Sequence, residues 1–370
     1  MEKEENGMKQ SRYFFLFLLV ILTGCEARLS PKEINKIDVI QGAGFDLTEE
    51  QQIKGYFLFP IYKDSNDQQT TKTISAIGDS IKEITNEANY KTKFPLEYGQ
   101  IRVILFSKTL SEKGIVPLLN TYNRDPSIGR IVQLAIVDGD TSEVLDKKFE
   151  EVDNMALQIQ GMIEQNIKNG TIPMTDMNTF MYQYHQEGID PYLPILKVKE
   201  DEVVIMHSIG ILKGDKLILQ VAKQHTFIFG LLVEKRQKGG HYTALENKGK
   251  LAFEIIRSRP IYHVEMINEE PSITIQLNIK ARIIENFSSN GEALPSDKKE
   301  IEKNIEKQLK DEGTALINQF RELHVDPLGI GAKYEAQVRS FDAKKWKDQY
   351  PNAQIDLNVD VTIVGTGITE

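Results

Sequence analysis

The chain has 370 residues, of which 45 are Lys or Arg and 54 are Asp or Glu, so its formal net charge is −9. At about 150 residues per domain, this length predicts two domains, each large enough for a hydrophobic core. The acidic balance argues against a general nucleic-acid-binding protein, which needs a basic face to neutralise phosphates. The single cysteine excludes an intrachain disulfide and any metal site built from several cysteines.

The N-terminus carries a short apolar run that is typical of a secretory signal peptide. Residues 13–22 are all apolar, and Lys9 and Arg12 precede them. A membrane-spanning helix needs about 20 apolar residues, so this run is too short to cross a bilayer. Acidic residues near the beginning fit a positively charged leader poorly. Met1 and Met8 are therefore both candidate starts, and we favour Met8.

Residues 22–25, Leu-Thr-Gly-Cys, follow the apolar run directly. They resemble the lipobox of bacterial lipoproteins, in which small residues precede the cleaved bond and the new N-terminal cysteine carries a lipid. The alternative is a free cysteine at the end of an ordinary signal peptide. We expect Cys25 to be lipid-modified and the anchor to be stable, because several acyl chains bury more CH₂ groups than one chain does.

The first half of the chain predicts strands mixed with short helices. Residues 37–44 and 53–62 are apolar runs around a turn at residues 46–52, which is typical of a hairpin. Isoleucines three and four residues apart predict an amphipathic helix over residues 73–89. Further strands are predicted at residues 101–107 and 130–137, and further helices at residues 110–120, 152–168 and 174–187.

The second half predicts antiparallel strands and one long helix. Strands are predicted at residues 203–212, 216–219, 251–257, 261–267 and 272–284, and a helix at residues 221–235 that leads to a turn at residues 239–240. Asp297 and Glu300 resemble a capping box at the start of the long helix. Its apolar stripe includes Leu316 and Phe320, which we expect to face the sheet. A final strand at residues 355–364 alternates apolar with polar residues, so one face is expected to be in water.

Together these elements predict an α+β fold, with mostly antiparallel sheets and helices packed on one face. We divide the chain into a signal peptide (1–24), a lipidated N-terminus and tether (25–36), an N-terminal domain (37–195) and a C-terminal domain (196–370). The boundary near residue 195 follows a stretch rich in glycine and proline. The N-terminal domain is either one compact unit or two lobes, and the C-terminal domain places one long helix on an antiparallel sheet.

No pattern of a common catalytic or metal site occurs in the sequence. The G-x-S-x-G, G-x-x-x-x-G-K-[ST] and H-E-x-x-H motifs are absent, and successive histidines are at least 16 residues apart. Gly42 and Gly44 lack the third glycine and the following helix of a dinucleotide site, so they predict a turn or a bulge. Asp138 and Asp140 show no sign of the convergence or the apolar pocket that a catalytic pair needs. We therefore expect no catalytic residue, metal or cofactor.

Three aromatic residues, Phe180, Tyr182 and Tyr184, stand close together in the helix predicted at residues 174–187. One interpretation is that they line a ligand groove or a partner surface. The other is that they pack in the core beneath the last helix of the N-terminal domain. We favour the core.

Several segments along the chain form a recognisable set. The lipobox is followed by Glu-Ile-Asn at residues 33–35 and by a strand into Gly-Ala-Gly-Phe-Asp at residues 42–46. The strand at residues 101–107 is followed by Leu-Ser-Glu-Lys-Gly-Ile at residues 110–115 and Arg-Asp-Pro at residues 124–126. Together these segments resemble the Ger(x)C family, the C-subunit lipoproteins of spore germinant receptors.

The most specific part of this resemblance is near the C-terminus. The long helix is followed by His-Val-Asp-Pro-Leu-Gly-Ile-Gly at residues 324–331, then by Trp346 and the terminal strand. Gly329 and Gly331 are expected to adopt the positive-φ turn that ends a helix. Trp346, the only tryptophan, is expected to anchor the connecting segment on the sheet. The resemblance covers essentially the whole chain after Cys25.

The resemblance implies a non-enzymatic, lipid-anchored subunit of a nutrient germinant receptor, which helps to trigger endospore germination. It implies two integral membrane subunits of the same receptor as partners, and a position on the outer face of the cytoplasmic membrane, the inner membrane of the spore. Whether this subunit binds a nutrient stays open. The alternative is a solute-binding lipoprotein of a membrane transporter, whose two lobes of parallel βαβ units fit the predicted second half poorly.

Overall fold

The computed structural model describes residues 36–62, 69–129, 131–147, 152–199, 204–236, 239–245, 249–268, 270–287, 298–338 and 341–366. The predicted signal peptide, Cys25 and the capping residue Asp297 lie outside these ranges. Every helix and strand named below lies in one compact unit, Asp38–Glu370. Within the described ranges, no helix combines the length and the apolar composition that crossing a membrane requires.

The unit Asp38–Glu370 has short helices between strands in its first half, and long strands around one long helix in its second half. In chain order the elements are β1 (Asp38–Val39), β2 (Gly42–Leu47), β3 (Ile53–Tyr62), β4 (Gln69–Gly78), α1 (Ile81–Asn89), β5 (Leu96–Glu97), β6 (Val103–Ser107), α2 (Lys108–Lys113), α3 (Val116–Arg124), β7 (Gln133–Val137), α4 (Ser142–Leu145), α5 (Met155–Lys168), α6 (Met177–His185), β8 (Tyr192–Val198), β9 (Val204–Lys213), β10 (Lys216–Val221), α7 (Lys223–Val233), β11 (Gly239–Leu245), β12 (Gly249–Ile267), β13 (Glu270–Phe287), α8 (Lys298–Glu322), α9 (Ile330–Glu335), α10 (Ala343–Gln349), a 3₁₀ turn (Tyr350–Asn352) and β14 (Gln354–Thr366).

Eight strands form one mixed sheet in the order β10-β9-β8-β7-β6-β2-β3-β4. The predicted hairpin is present as the antiparallel pair β2 and β3. The four central strands β2, β6, β7 and β8 are parallel. The other four pairings of this sheet are antiparallel, so the predicted mostly antiparallel pairing is present, around a parallel centre that the sequence did not indicate. Parallel neighbours need a crossover segment, and the helices between β6, β7 and β8 provide it. The α+β class itself is confirmed.

Helices cover both faces of this sheet, whereas the sequence predicted one covered face. On one face α1, α2, α3 and α6 pack around Phe45, Phe57 and Phe106. On the other face α4, α5 and α7 pack around Leu105 and Val137, and this second core continues into the C-terminal sheet. Every residue of β6 is therefore buried, which explains its uninterrupted apolar run.

The helix predicted over residues 73–89 is a strand followed by a shorter helix. β4 ends at Gly78, and α1 begins after Ser80, whose side chain accepts a hydrogen bond from the N–H of Glu83. Ile74 is buried while Ile77 is 45% exposed, as expected when alternate side chains of a strand point to opposite faces. The isoleucine spacing matched a helix only because the strand and the helix are adjacent in the chain.

The helix predicted over residues 110–120 is two helices. They are separated at Gly114, which has a φ of 126°, a conformation that favours glycine. Pro117 lies in the first turn of α3, where the missing N–H has no intrahelical partner to lose.

The second sheet has the order β11-β12-β13-β14, with β13 and β14 parallel. The strands predicted at residues 251–257 and 261–267 are one continuous strand, β12, and Gly239 begins β11 where a turn was predicted. Pro260 did not break β12 because β11 pairs only with residues 249–255. At Pro260 the strand is an edge, where a missing backbone donor is tolerated.

The longest described helix, α8, packs directly against β14. Its buried residues follow the predicted stripe and include Leu316 and Phe320. A Cβ atom added to Gly313 would lie 2.5 Å from Cδ2 of Leu357 on β14, so the helix backbone is close to the sheet. The ring of Phe320 also meets Phe229 of α7 edge to face, with centroids 5.9 Å apart.

Candidate functional site

The loop at residues 324–331, the most specific part of the resemblance, is closed by its own buried aspartate. Asp326 is only 4% exposed. Its Oδ1 accepts a hydrogen bond from the N–H of Ile330 at 3.0 Å, and its Oδ2 accepts one from the N–H of Gly331 at 2.8 Å. Both donors lie in the first turn of α9, where backbone N–H groups have no intrahelical acceptor.

Asp190, in the segment between α6 and β8, holds this loop from the first half of the chain. Its Oδ2 accepts a hydrogen bond from the N–H of Asp326 at 2.7 Å, and its own N–H donates to the carbonyl of Asp326 at 3.0 Å. Its Oδ1 accepts a longer bond, 3.5 Å, from the N–H of Gly214 in the β9–β10 turn. Three separate segments therefore meet at this aspartate, and we call the contact the Asp190–Asp326 junction.

Two glycines allow the backbones to approach at the junction. Gly188 has a φ of 73°, and its carbonyl accepts a hydrogen bond from the N–H of Ala332 at 2.9 Å. A Cβ atom on Gly188 would lie 2.5 Å from that same nitrogen. A Cβ atom on Gly331 would lie 2.7 Å from Cα of Gly188 and would also meet Nε1 of Trp346. Neither position has room for a side chain.

The end of α8 differs from the prediction for Gly329 and Gly331. The residue with positive φ after α8 is His324, at 56°, and the N–H of Val325 bonds to the carbonyl of Phe320. This is the Schellman arrangement of a helix end. Gly329 has a φ of 63° but precedes α9, and Gly331 is required for close packing and has no positive φ.

Trp346 is buried in a group of aromatic rings beside the junction. It stacks on Tyr334 of α9 with ring centroids 5.7 Å apart, and it also contacts Phe341 and Tyr350. The sequence predicted that Trp346 anchors this segment on the sheet. Its ring partners lie in α9 and in the segments flanking α10, so the tryptophan joins these short helices within the core that they share with the C-terminal sheet.

Burial dominates the electrostatics of the junction. It raises the pKa of Asp326 to about 7, although the N–H groups of Gly331 and Ile330 favour the charged form. Burial also raises the pKa of Asp190 and lowers that of Lys333. The Lys333 ammonium lies 4.5 Å from the ring centroid of Tyr262 and contacts loop carbonyls.

A cavity of about 580 Å³ opens beside the junction. Its lining includes acidic and basic side chains, two histidines and a tyrosine, namely Asp190, Lys213, Lys347, His185, His324 and Tyr350. The Tyr350 hydroxyl and Nε1 of Trp346 are buried and have no hydrogen-bond partner among the described residues. The cavity suits water or a small polar molecule. Across the described ranges, no three His, Cys, Asp or Glu side chains are grouped so that they could hold a metal ion.

The other residues that the sequence analysis considered as candidate sites make contacts that explain them by packing or by ion pairing. Asp138 pairs with Lys108 and Lys197, at 3.3 Å each. Burial acts to raise the pKa of Asp138, but hydrogen bonds from these two lysines outweigh it and hold the pKa below its ordinary value. Phe180 is buried in the core, as we favoured, whereas Tyr182 is exposed.

Gly42 and Gly44 lie within β2, between β3 and β6, and form no phosphate-binding loop. A Cβ atom on Gly44 would lie 2.6 Å from Oγ1 of Thr141. Asp46, two residues further on, is buried and accepts hydrogen bonds from the N–H groups of Thr141 at 2.7 Å and Ser142 at 3.4 Å. This segment of the resemblance therefore attaches the start of α4 to the sheet.

A buried arginine forms a second connection between the two halves, which the sequence did not indicate. The guanidinium of Arg236 contacts the carbonyl of Gly170, after α5, and lies 3.4 Å from Glu234. A Cβ atom on Gly230 would overlap this guanidinium, so the glycine makes room for it. A lone arginine after a helix carries no local signal of burial, so no sequence pattern could have found it.

Comparison with known proteins identifies the class first. The family described as "Spore germination protein N-terminal domain" matches residues 30–198, and "Spore germination B3/ GerAC like, C-terminal" matches residues 207–367. The chain is thus a spore germination protein, and it belongs to the Ger(x)C family of germinant receptor C subunits. The first match ends with β8 and the second begins within β9, its neighbour in the eight-stranded sheet. The boundary proposed near residue 195 falls within β8.

Two known proteins illustrate the similarity. The chain is 30% identical to the spore germination protein GerQC of Bacillus cereus, over 96% of this chain and 98% of that protein. The crystal structure of the GerBC protein matches with a TM-score of 0.58 at 18% identity, covering 87% of this chain and 97% of that one. The structural match supports the fold alone.

Proposed function

We propose that this chain is a lipid-anchored, non-enzymatic subunit of a nutrient germinant receptor and that it helps to trigger endospore germination. The observation that carries the proposal is a family match that spans both halves of the chain. The loop most specific to the resemblance, residues 324–331, also forms one of the buried connections between those halves. This loop thus helps to maintain the framework of the molecule.

The non-enzymatic part of the proposal is supported by the contacts of four buried or half-buried aspartates. Asp46, Asp190 and Asp326 accept hydrogen bonds from backbone N–H groups, and Asp138 pairs with two lysines. A general acid or base has to reach a proton of the substrate. Asp46, Asp190 and Asp326 instead join separate parts of the backbone.

The proposed anchor is a lipid on Cys25, and the proposed partners are two integral membrane subunits of the same receptor. Such an anchor would keep the unit Asp38–Glu370 at the outer face of the spore inner membrane. Tethering raises the effective concentration of a subunit near membrane-embedded partners without any additional contact. The family match to germinant receptor subunits supports a role beside other receptor subunits.

Germination of spores that lack this gene tests the receptor role. Dipicolinate release is measured against a panel of nutrients, with the parent strain and a complemented strain as controls. Loss of the response to one nutrient class, restored by complementation, is expected. An unchanged response to every nutrient, in a strain that carries no other germinant receptor, would contradict the proposal.

Cys25→Ala tests the anchor separately. The variant is expected to leave the membrane fraction and to impair germination, because it cannot carry the lipid. Glu26→Ala, which keeps the cysteine, is the matched control and is expected to remain in the membrane fraction. Normal retention of Cys25→Ala in membranes washed with high salt, which weakens purely electrostatic attachment, would contradict the lipid anchor while leaving the receptor role to be decided by the gene deletion.

A further inference from the structure

The outer face of the C-terminal sheet carries an excess of positive charge at one end. The register brings three rows of residues together there, namely Glu254–Arg282–Gly365, Arg257–Lys280–Thr362 and Arg259–Asn278–Asp360. With the exposed Glu285 of the adjoining Ala252–Glu285 row, four cations thus stand with three carboxylates, on a chain whose net charge is −9. Of these cations, only Arg282 has an ion pair in the described part of the chain, with Glu254 at 2.7 Å.

This arrangement does not help the sheet to fold. Arg257 and Lys280 lie directly opposite each other on antiparallel strands, and both are exposed. Like charges in such a pair destabilise a sheet. Arg259 follows on the same face of β12, because Ser258 between them is buried. The cations are therefore better explained by an anionic partner than by stability.

Large aliphatic side chains are exposed beside these cations. Ile256, Ile284 and Val364 are 39%, 46% and 53% exposed. Each lies at a register shift of its strand, where a bulge turns side chains away from regular alternation. Ile284 follows Arg282 by two residues on β13. Val364 directly precedes Gly365, the residue of β14 that lies opposite Arg282. Three bulges thus bring apolar groups to the same end of the sheet as the cations.

We propose that this surface, formed by Ile256, Arg257, Arg259, Lys280, Ile284 and Val364, binds anionic phospholipid headgroups at the membrane surface. Cations attract lipid phosphates, and neighbouring aliphatic groups enter the headgroup boundary. An acidic chain needs such a local reversal of charge to approach an anionic bilayer closely. The inference rests on the proposed function in one respect, namely that a lipid on Cys25 brings the chain to a membrane.

Vesicle co-sedimentation tests this surface without lipidation or receptor partners. Both hydrophobic cores lie entirely within Asp38–Glu370, so this unit is expressed alone. It is expected to bind vesicles of phosphatidylcholine mixed with phosphatidylglycerol, more weakly at high salt, and not vesicles of pure phosphatidylcholine. The variant Arg257→Gln/Arg259→Gln/Lys280→Gln is expected to lose about fivefold in affinity per cation, or about 100-fold.

The matched control is Lys303→Gln/Lys307→Gln/Lys310→Gln, which removes the same charge from the exposed face of α8. It is expected to bind within about twofold of the wild type. Equal losses in both triple variants would show that net charge alone drives binding and would overturn the proposal. Absence of vesicle binding, with loss of receptor co-purification only in the sheet variant, would overturn it in favour of an acidic protein partner. Neither result depends on the germination experiments.

Discussion

Asp326→Asn is expected to remove a pH dependence of stability that the buried carboxyl introduces. The ordinary pKa of an aspartate is 3.8, and burial raises that of Asp326 to about 7. Between these values the folded state holds a proton on Asp326 that the unfolded state has lost. Stability from this group is therefore complete below the unfolded pKa and is lost as the pH rises through the folded pKa.

The magnitude follows from proton linkage. While folding takes up one proton, each pH unit lowers the free energy of unfolding by about 1.4 kcal/mol. Between about pH 5 and about pH 7 the wild type should lose about 2 kcal/mol through Asp326, because the group is half ionised at the upper limit. An asparagine does not titrate. It accepts a hydrogen bond at only one atom, so it should cost about 1–3 kcal/mol at every pH.

Urea unfolding of the unit Asp38–Glu370 at several pH values measures this effect. The relevant quantity is the wild type minus Asp326→Asn, because Asp46, Asp190 and Glu234, whose pKa values burial also raises, contribute to both proteins. Asp348→Asn, at an exposed position, is the matched control and should parallel the wild type. A difference between wild type and Asp326→Asn that does not change with pH would refute the reasoning.

Two further substitutions test packing. Gly331→Ala should lower the free energy of unfolding by about 1–3 kcal/mol, because the new Cβ atom would press on Gly188 and Trp346. Gly129→Ala is the control: its Cβ atom would meet nothing within 4 Å, so the melting temperature should stay nearly unchanged. A stable Gly331→Ala would disprove the close approach at the junction. Phe320→Ala should lower the free energy of unfolding by about 3–5 kcal/mol, because the side chain is fully buried, and an unchanged melting temperature would mean that the faces of α8 are misassigned.

Local patterns of apolar residues predicted correctly those helices and strands that keep the same burial pattern over their whole length. The stripe of α8 and the apolar run of β6 were recognised because each element keeps one relation to the core along its length. The prediction was wrong over residues 73–89, where a strand and a helix follow each other and share isoleucines at helical spacing. It was also wrong at residues 258–260, where two strands were predicted to separate, because the tolerance of Pro260 in a strand depends on whether a neighbouring strand pairs with it.

The sequence indicated one of the two segments that form the candidate site and gave no sign of the other. Residues 324–331 were singled out, but their contacts are with Gly188 and Asp190, and the bond between Asp190 and Asp326 joins residues 136 positions apart. Nothing in the local sequence marks Gly188, Asp190 or Arg236 as partners. The cations of the C-terminal sheet are likewise far apart in the sequence, and only the strand register shows that they lie side by side on one face.

The sequence by itself indicated the family and most of the amphipathic elements, and it predicts the lipid anchor, because these depend on short motifs and on the period of apolar residues. Only the tertiary structure decided the parallel centre of the large sheet, the helices on both of its faces and the Asp190–Asp326 junction. Strand order, register and the burial of single polar groups depend on contacts between distant segments. Those contacts exist only once the chain has folded.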